Sequence, residues 1–170
     1  MENIKIPVSS KNILEPAHEG DAGHDLIAYS GPIFSGKPLD EDQNYWRLLR
    51  YIEYETQVAM APPPGVYTLV FPRSSITSNT NLTLGNCVAV IDQGYRNTIK
   101  LRFRYHPQPE DYELVGDRLY MSVNKERIYQ QGDKIGQAVF VKMLPTELEL
   151  RNALSDQTSR GQGGFGSTGR

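Results

Sequence analysis

Apolar positions along the chain recur mostly at every second residue, in short runs. Residues 66–71 (VYTLVF), 87–91 (CVAVI), 98–105 (TIKLRFRY) and 138–143 (AVFVKM) each read as a β-strand. In TIKLRFRY the alternation is clean, with Ile99, Leu101, Phe103 and Tyr105 on one face and Lys100, Arg102 and Arg104 on the other. Turn residues punctuate the runs: Pro62-Pro63-Pro64-Gly65, Gln93-Gly94 and Gln131-Gly132-Asp133. Many short strands separated by such turns predict an all-β barrel or sandwich. The best helix candidate is DEDQNYWRLLRYIEY, residues 40–54, acidic at its start and basic later as a helix dipole favours. Against it, Tyr51-Ile52-Glu53-Tyr54-Glu55 alternates like a strand.

Two polar stretches read as insertions into this framework, at about residues 35–50 and 106–128. No internal repeat is evident. Residues 1–154 read as one β domain. The polar, then glycine-rich residues 155–170 read as a mobile C-terminal arm.

Charge narrows the function. Charged residues are 22% of the 170, and the net charge is −2. That balance argues against gripping nucleic acid by bulk neutralisation of phosphate, which needs a basic surface. It leaves room for one nucleotide held by a few placed donors. The single Cys87 allows no internal disulfide, and no Cys/His cluster has zinc spacing. MENIKIPVSS lacks the apolar run of a signal peptide, and no stretch approaches the ~20 apolar residues needed to span a bilayer. The expectation is a soluble intracellular protein, in cytoplasm or nucleus, with no membrane contact.

Five stretches carry chemistry. DAGHDLIAY (21–29) opens an apolar segment at Asp25. PRSSI (72–76) follows a strand with Arg73, Ser74 and Ser75, a forked donor beside two hydroxyls, which suits phosphate or caps a turn. GNCVAVIDQGYRNTIK (85–100) reads as a β-hairpin with Asp92 and Tyr95 at its tip. Asp92 is either a turn residue or a general base that takes a proton from an attacking water. QGDKIGQAVF (131–140) enters a strand with Gln137 as its polar member. RGQGGFGSTGR (160–170) has five glycines in eleven residues, and is either an RNA-touching tail or a clamp over a small anionic ligand.

Taken together and in this order, the five stretches resemble the trimeric dUTP diphosphatases (dUTPases), across roughly residues 13–169 with the two insertions outside the likeness. GNCVAVIDQGYR and RGQGGFGSTG are its most specific parts. The resemblance implies a jelly-roll-like β subunit of a homotrimer, each active site being built from three chains. It implies Mg²⁺-assisted attack of water on the α-phosphorus of dUTP, giving dUMP and diphosphate. Such an activity limits uracil incorporation into DNA and supplies dUMP for thymidylate synthesis.

Carried over by the same resemblance, Asp92 activates the water and Tyr95 lies against the deoxyribose, excluding a 2′-hydroxyl. The backbone from Gly85 to Val90 reads the uracil edge, with Asn86 assisting. Arg73, Ser74 and Ser75 hold phosphates, and Gln137 contacts the α-phosphate region. Asp25 acts on the metal through water, with Mg²⁺ held mainly by the substrate. In the arm, Phe165 stacks on uracil and Arg160 pairs with the terminal phosphate. Ser167 and Thr168 hydrogen-bond that phosphate, and Gly166 and the other glycines let backbone N–H groups approach it. His24, Ala89 and Asn97 depart from the usual family residues, and Asn97 tolerates a left-handed backbone there.

Two other readings remain. A dCTP deaminase shares the fold and an Arg-Ser-Ser turn but carries a Glu in the strand after the hairpin, where TIKLRFRY offers Arg102. A regulatory protein on the same body would use the insertions, 106–128 above all, to hold a protein partner.

Overall fold

The computed structural model describes residues 4–152 and residue 158. Ten strands dominate: β1 His24–Ile27, β2 Ile33–Pro38, β3 Tyr45–Glu55, β4 Val66–Phe71 and β5 Leu82–Leu84. They continue with β6 Ala89–Ile91, β7 Lys100–Tyr105, β8 Tyr112–Val115, β9 Arg118–Ser122 and β10 Lys134–Lys142. One short helix, α1 Ile76–Asn79, and two 3₁₀ turns complete the described elements.

The strands form two antiparallel sheets, one ordered β1-β10-β4-β6 and the other β5-β7-β3-β9-β8 with β2 added on β3. Inward residues of both meet in one core. Leu26, Val70, Ile135 and Ala138 come from the first sheet, and Ile52, Tyr54, Leu101 and Phe103 from the second; all are at most 2% exposed. This is the sandwich that the alternation predicts, each strand burying one face. In β7, Leu101 and Phe103 are buried, while Lys100, Arg102 and Arg104 face solvent.

The helix expected over 40–54 is absent, and β3 runs through it. Pairing with β2 and β7 supplies partners for its backbone on both sides, and Trp46, Ile52 and Tyr54 gain burial. Local helix propensity is a weak prior against such a ladder. The β2–β3 pair is irregular at Ser35/Gly36 and Lys37/Pro38. At Gly36 a Cβ would sit 2.0 Å from the Leu48 carbonyl oxygen, so only glycine fits that approach.

Residues 106–128 form a 3₁₀ turn, the β8–β9 hairpin and a second 3₁₀ turn. They are tied to the body through Asp111, 3% exposed. Its carboxylate accepts from the Tyr105 hydroxyl at 2.6 Å and from the Gln108 N–H at 2.7 Å. Burial, together with that acceptor, pushes the Tyr105 hydroxyl up to about 12. No helix among the described residues is long and apolar enough to cross a membrane.

Candidate active site

The chain assembles two separate clusters of the expected site residues. The first lies on the sheet β1-β10-β4. Asp25 on β1 stands opposite Gln137 on β10, which stands opposite Phe71 on β4. Two residues after Phe71 the chain reaches Arg73, so three stretches far apart in sequence meet on one row of the sheet. The Asp25 carboxylate receives Lys134 Nζ at 2.8 Å, the Gln137 amide at 3.3 Å and Arg73 Nε at ion-pair distance, 3.4 Å. Burial pushes this carboxyl up, but the hydrogen bonds from Lys134 and Gln137 and the charges of Lys134 and Arg73 outweigh it. The net effect holds Asp25 below its ordinary range.

Next to this row, sharing Arg73 and Lys134 with it, lies a small cavity of about 200 Å³, lined also by Ser75 and Tyr129 among others. The Arg73 Nε–H is buried and makes no hydrogen bond, despite its nearness to Asp25. Two cations and an unpaired guanidinium donor are groups that can bind an anion, and Glu126 and Asp133 share the lining. Ser74 is exposed beside it in the turn that enters α1.

The second cluster is the stretch from Gly85 to Tyr95. It is not the hairpin the sequence suggests. β6 pairs with β4 in one sheet, whereas β7 pairs with β3 and β5 in the other. The loop between them therefore crosses from sheet to sheet at the open side of the sandwich. Both strands find their ladder partners elsewhere, and a cleft of about 470 Å³ opens where a hairpin would have closed. Gly85, Asn86, Ala89, Ile91 and Tyr95 line one side, and Ile99 and the residues of β7 the other.

The backbone of this stretch is held tightly. The Gly85 N–H donates to the Arg102 carbonyl at 2.8 Å and Val88 N–H to the Asn86 carbonyl at 2.6 Å. Cys87 adopts a left-handed φ of 60°, while Asn97, which would tolerate one, does not. Asn97 instead caps the loop, its side chain accepting from the Thr98 N–H at 2.8 Å. His24, another noted departure, packs its ring edge-on against Phe140.

Asp92 is exposed at the end of β6. Its backbone carbonyl accepts from the Tyr95 N–H at 3.0 Å, and its carboxylate has no partner among the described residues. Val90 and Tyr95 are 62% and 42% exposed. Such a carboxylate, beside a partly apolar cleft and free to take a hydrogen bond from water, has what a general base requires.

Arg102, at the deaminase position, faces its neighbour on β3. Its Nε–H donates to Glu53 at 2.7 Å, and its guanidinium lies 4.6 Å over the Tyr51 ring. Glu53 is thereby tied to Arg102 and Lys100, and Glu55 pairs with Lys100 as well.

Neither cavity is lined by residues of both clusters. Arg160, Phe165, Gly166, Ser167 and Thr168 lie outside the described residues. Sequence reading missed Lys134 and Tyr129. Lys134 stands three residues before Gln137, on the opposite face of a regular strand. The β1–β10 pairing shifts register after Leu26, so that Ile27 stands opposite Lys134, whose ammonium reaches Asp25. Three or more His, Cys, Asp or Glu never gather into a metal cage among the described residues.

No protein-family model matches the chain. Curated relatives do. A deoxyuridine 5′-triphosphate nucleotidohydrolase of Clostridium acetobutylicum is 30% identical over 171 residues, covering 99% of this chain and 98% of its own. One from Debaryomyces hansenii is 33% identical over 116 residues, 68% of this chain and 61% of its own. Among solved structures, a Staphylococcus bacteriophage 80alpha dUTPase mutant with dUpNHpp superposes with TM-score 0.71 at 22% identity, covering 98% of this chain and 99% of that one. A dUTPase mutant from phage phi11 of S. aureus, described with a structural Mg(II) ion, gives TM-score 0.58 at 22% identity over 88% of this chain and 97% of that one. The structural matches carry the fold, and the near full-length identity to the bacterial enzyme carries the lineage. The chain belongs to the family of deoxyuridine 5′-triphosphate nucleotidohydrolases, the dUTPases.

Proposed function

We propose that this protein hydrolyses dUTP to dUMP and diphosphate, by attack of water on the α-phosphorus. The observation that carries the reading is the exposed carboxylate of Asp92, without a partner among the described residues, directly after Ile91 in a cleft that Gly85, Asn86, Ala89, Ile91 and Tyr95 help to line. Asp92 orients the attacking water and takes its proton. Backbone groups of the loop pair with the uracil edge. Cytosine is rejected because its amino group brings a donor where uracil brings an acceptor, leaving buried polar groups unpaired. Tyr95 packs on the deoxyribose and denies space to a 2′-hydroxyl. Arg73, Ser74, Ser75 and Gln137 bind the phosphates and stabilise the charge that grows on the leaving diphosphate.

Mg²⁺ fits the donor set, because this cation keeps most of its waters and needs only one or two carboxylates beside substrate phosphates. Asp25 would hold it through water, and bound there it would neutralise phosphate oxygens.

We further propose a homotrimer whose sites combine the Asp92 cleft of one subunit with the Asp25–Arg73–Gln137 cluster of another. The separation of the two clusters within the chain supports this. Leu144, Leu148 and Leu150, each at least 79% exposed, give the C-terminal segment an apolar surface to bury on a neighbour. Residues 1–154 form the catalytic body, and residues 155–170 close over the site of a neighbouring subunit. A protein partner at 106–128 is a second reading, favoured by Leu114 and Leu119, 69% and 65% exposed at the β8–β9 hairpin.

Diphosphate release from dUTP, dCTP, dTTP and UTP with Mg²⁺, by wild type and Asp92→Asn, tests the activity. Release from dUTP alone, lost in the variant, is expected. Equal release from dCTP, or an active Asp92→Asn, would overturn the reading.

A further inference from the structure

The small cavity beside Asp25 holds a group that the sequence did not point to. Tyr129 lines it, yet the residue is only 6% exposed and its hydroxyl has no hydrogen-bond partner. Its ring is fixed by edge contacts to Tyr54 and Phe103, with centroids 6.0 and 5.6 Å away. The Tyr54 hydroxyl donates to the Tyr129 carbonyl at 2.9 Å. The side chain is therefore held on both sides while its polar end is left unsatisfied, an arrangement that costs free energy unless something completes it. Burial raises the Tyr129 hydroxyl above its ordinary value, with Arg73 and Asp133 as the charges near enough to act on it. The hydroxyl is thus a buried donor on a residue that shares the cavity lining with Arg73 and Lys134.

The cationic side of the cavity offers further donors. Arg73 Nε–H is the second buried donor without a hydrogen bond, and Lys134 and Ser75 share the wall. Two carboxylates also line the cavity. Asp133 already accepts from the Gln130 N–H at 2.7 Å, and Glu126 is exposed, where water screens it. At about 200 Å³ the space is smaller than the roughly 300–1,000 Å³ of pockets for whole small molecules. It suits a phosphate group rather than a nucleoside.

We infer that the Tyr129 hydroxyl is a phosphate-binding group of this enzyme, completing with Arg73 and Lys134 a subsite for the diphosphate portion of the nucleotide. The inference rests on the dUTPase reading above and adds to it a residue that none of the five stretches contains. A small shift of the Arg73 and Lys134 side chains away from Asp25 opens the hydroxyl to the ligand. A phosphate oxygen then satisfies two donors that the free protein leaves unpaired.

The test is calorimetric binding of inorganic diphosphate and, separately, of the nucleoside deoxyuridine to the full-length protein and to Tyr129→Phe, with thermal unfolding of each. Diphosphate affinity is expected to fall about tenfold in the variant, the loss of one hydrogen bond to a charged oxygen. Deoxyuridine affinity should stay within twofold. Because Phe removes an unsatisfied buried hydroxyl, the ligand-free variant should melt at the same temperature or higher. Equal diphosphate affinity in the two proteins would overturn the inference, as would a parallel loss of deoxyuridine binding with a lowered melting temperature, the mark of a purely structural role. Absence of diphosphate binding by wild type would overturn it too. Failure of the activity itself would be seen independently, as no release from dUTP in the assay above.

Discussion

Asp25→Asn isolates the charge at the centre of the row joining β1, β10 and the Arg73 turn. The substitution keeps the shape and removes the negative charge. The carboxylate now receives Lys134 at 2.8 Å, Gln137 at 3.3 Å and the charge of Arg73 at 3.4 Å, with only 15% of its own side chain exposed. Hydrogen bonds to charged groups contribute about 1.5–3 kcal/mol each and neutral ones about 1 kcal/mol. Lys134 and Arg73 are 40% and 32% exposed, so solvent discounts the ion pairs. A net loss of about 2 kcal/mol follows, near 1 M in the urea midpoint at an ordinary slope. The sign with pH is fixed by the direction of the shift. Asp25 is held below its ordinary 3.8 in the folded protein. Its contribution is therefore complete at pH well above that value and vanishes as pH falls through the lower, folded value. Urea unfolding at fixed protein concentration, at pH 7 and in steps below pH 4, should show the wild-type advantage shrinking toward zero in acid. Equal midpoints at pH 7, or a difference that grows in acid, would refute the reasoning.

Gly85→Ala places a Cβ 3.1 Å from the Arg102 carbonyl oxygen, a backbone atom in mid-strand that accepts the Gly85 N–H. A shift of a few tenths of an ångström in the base-reading loop should raise KM for dUTP about tenfold with a smaller change in kcat, and steady-state kinetics checks this. Gly36→Ala meets the Leu48 carbonyl at 2.0 Å, and should lower stability by about 3 kcal/mol in urea. The activity per folded molecule should be unaffected.

The alternation along the chain determined much by itself. TIKLRFRY names its buried face correctly, because the side-chain period of a strand is a local property and burial follows it. The five stretches and their order made the dUTPase resemblance legible, since each is a short local arrangement of donors, acids and glycines. What the sequence left open was partnership. Residues 40–54 carry helical and extended signals together, and only β2 and β7 alongside settle them as strand. The stretch around Asp92 looks like a hairpin because an apolar run, a glycine turn and another strand follow in line. The two strands nonetheless join different sheets, and the cleft exists for that reason. Tyr129 lies outside the five stretches, and Lys134, inside QGDKIGQAVF, is not singled out by its position there. Lys134 meets Asp25 across the β1–β10 pairing, and two aromatic rings hold Tyr129, which shares a cavity lining with Arg73. Pairing register and the burial of a polar atom depend on residues distant in sequence, and those the tertiary structure alone decided.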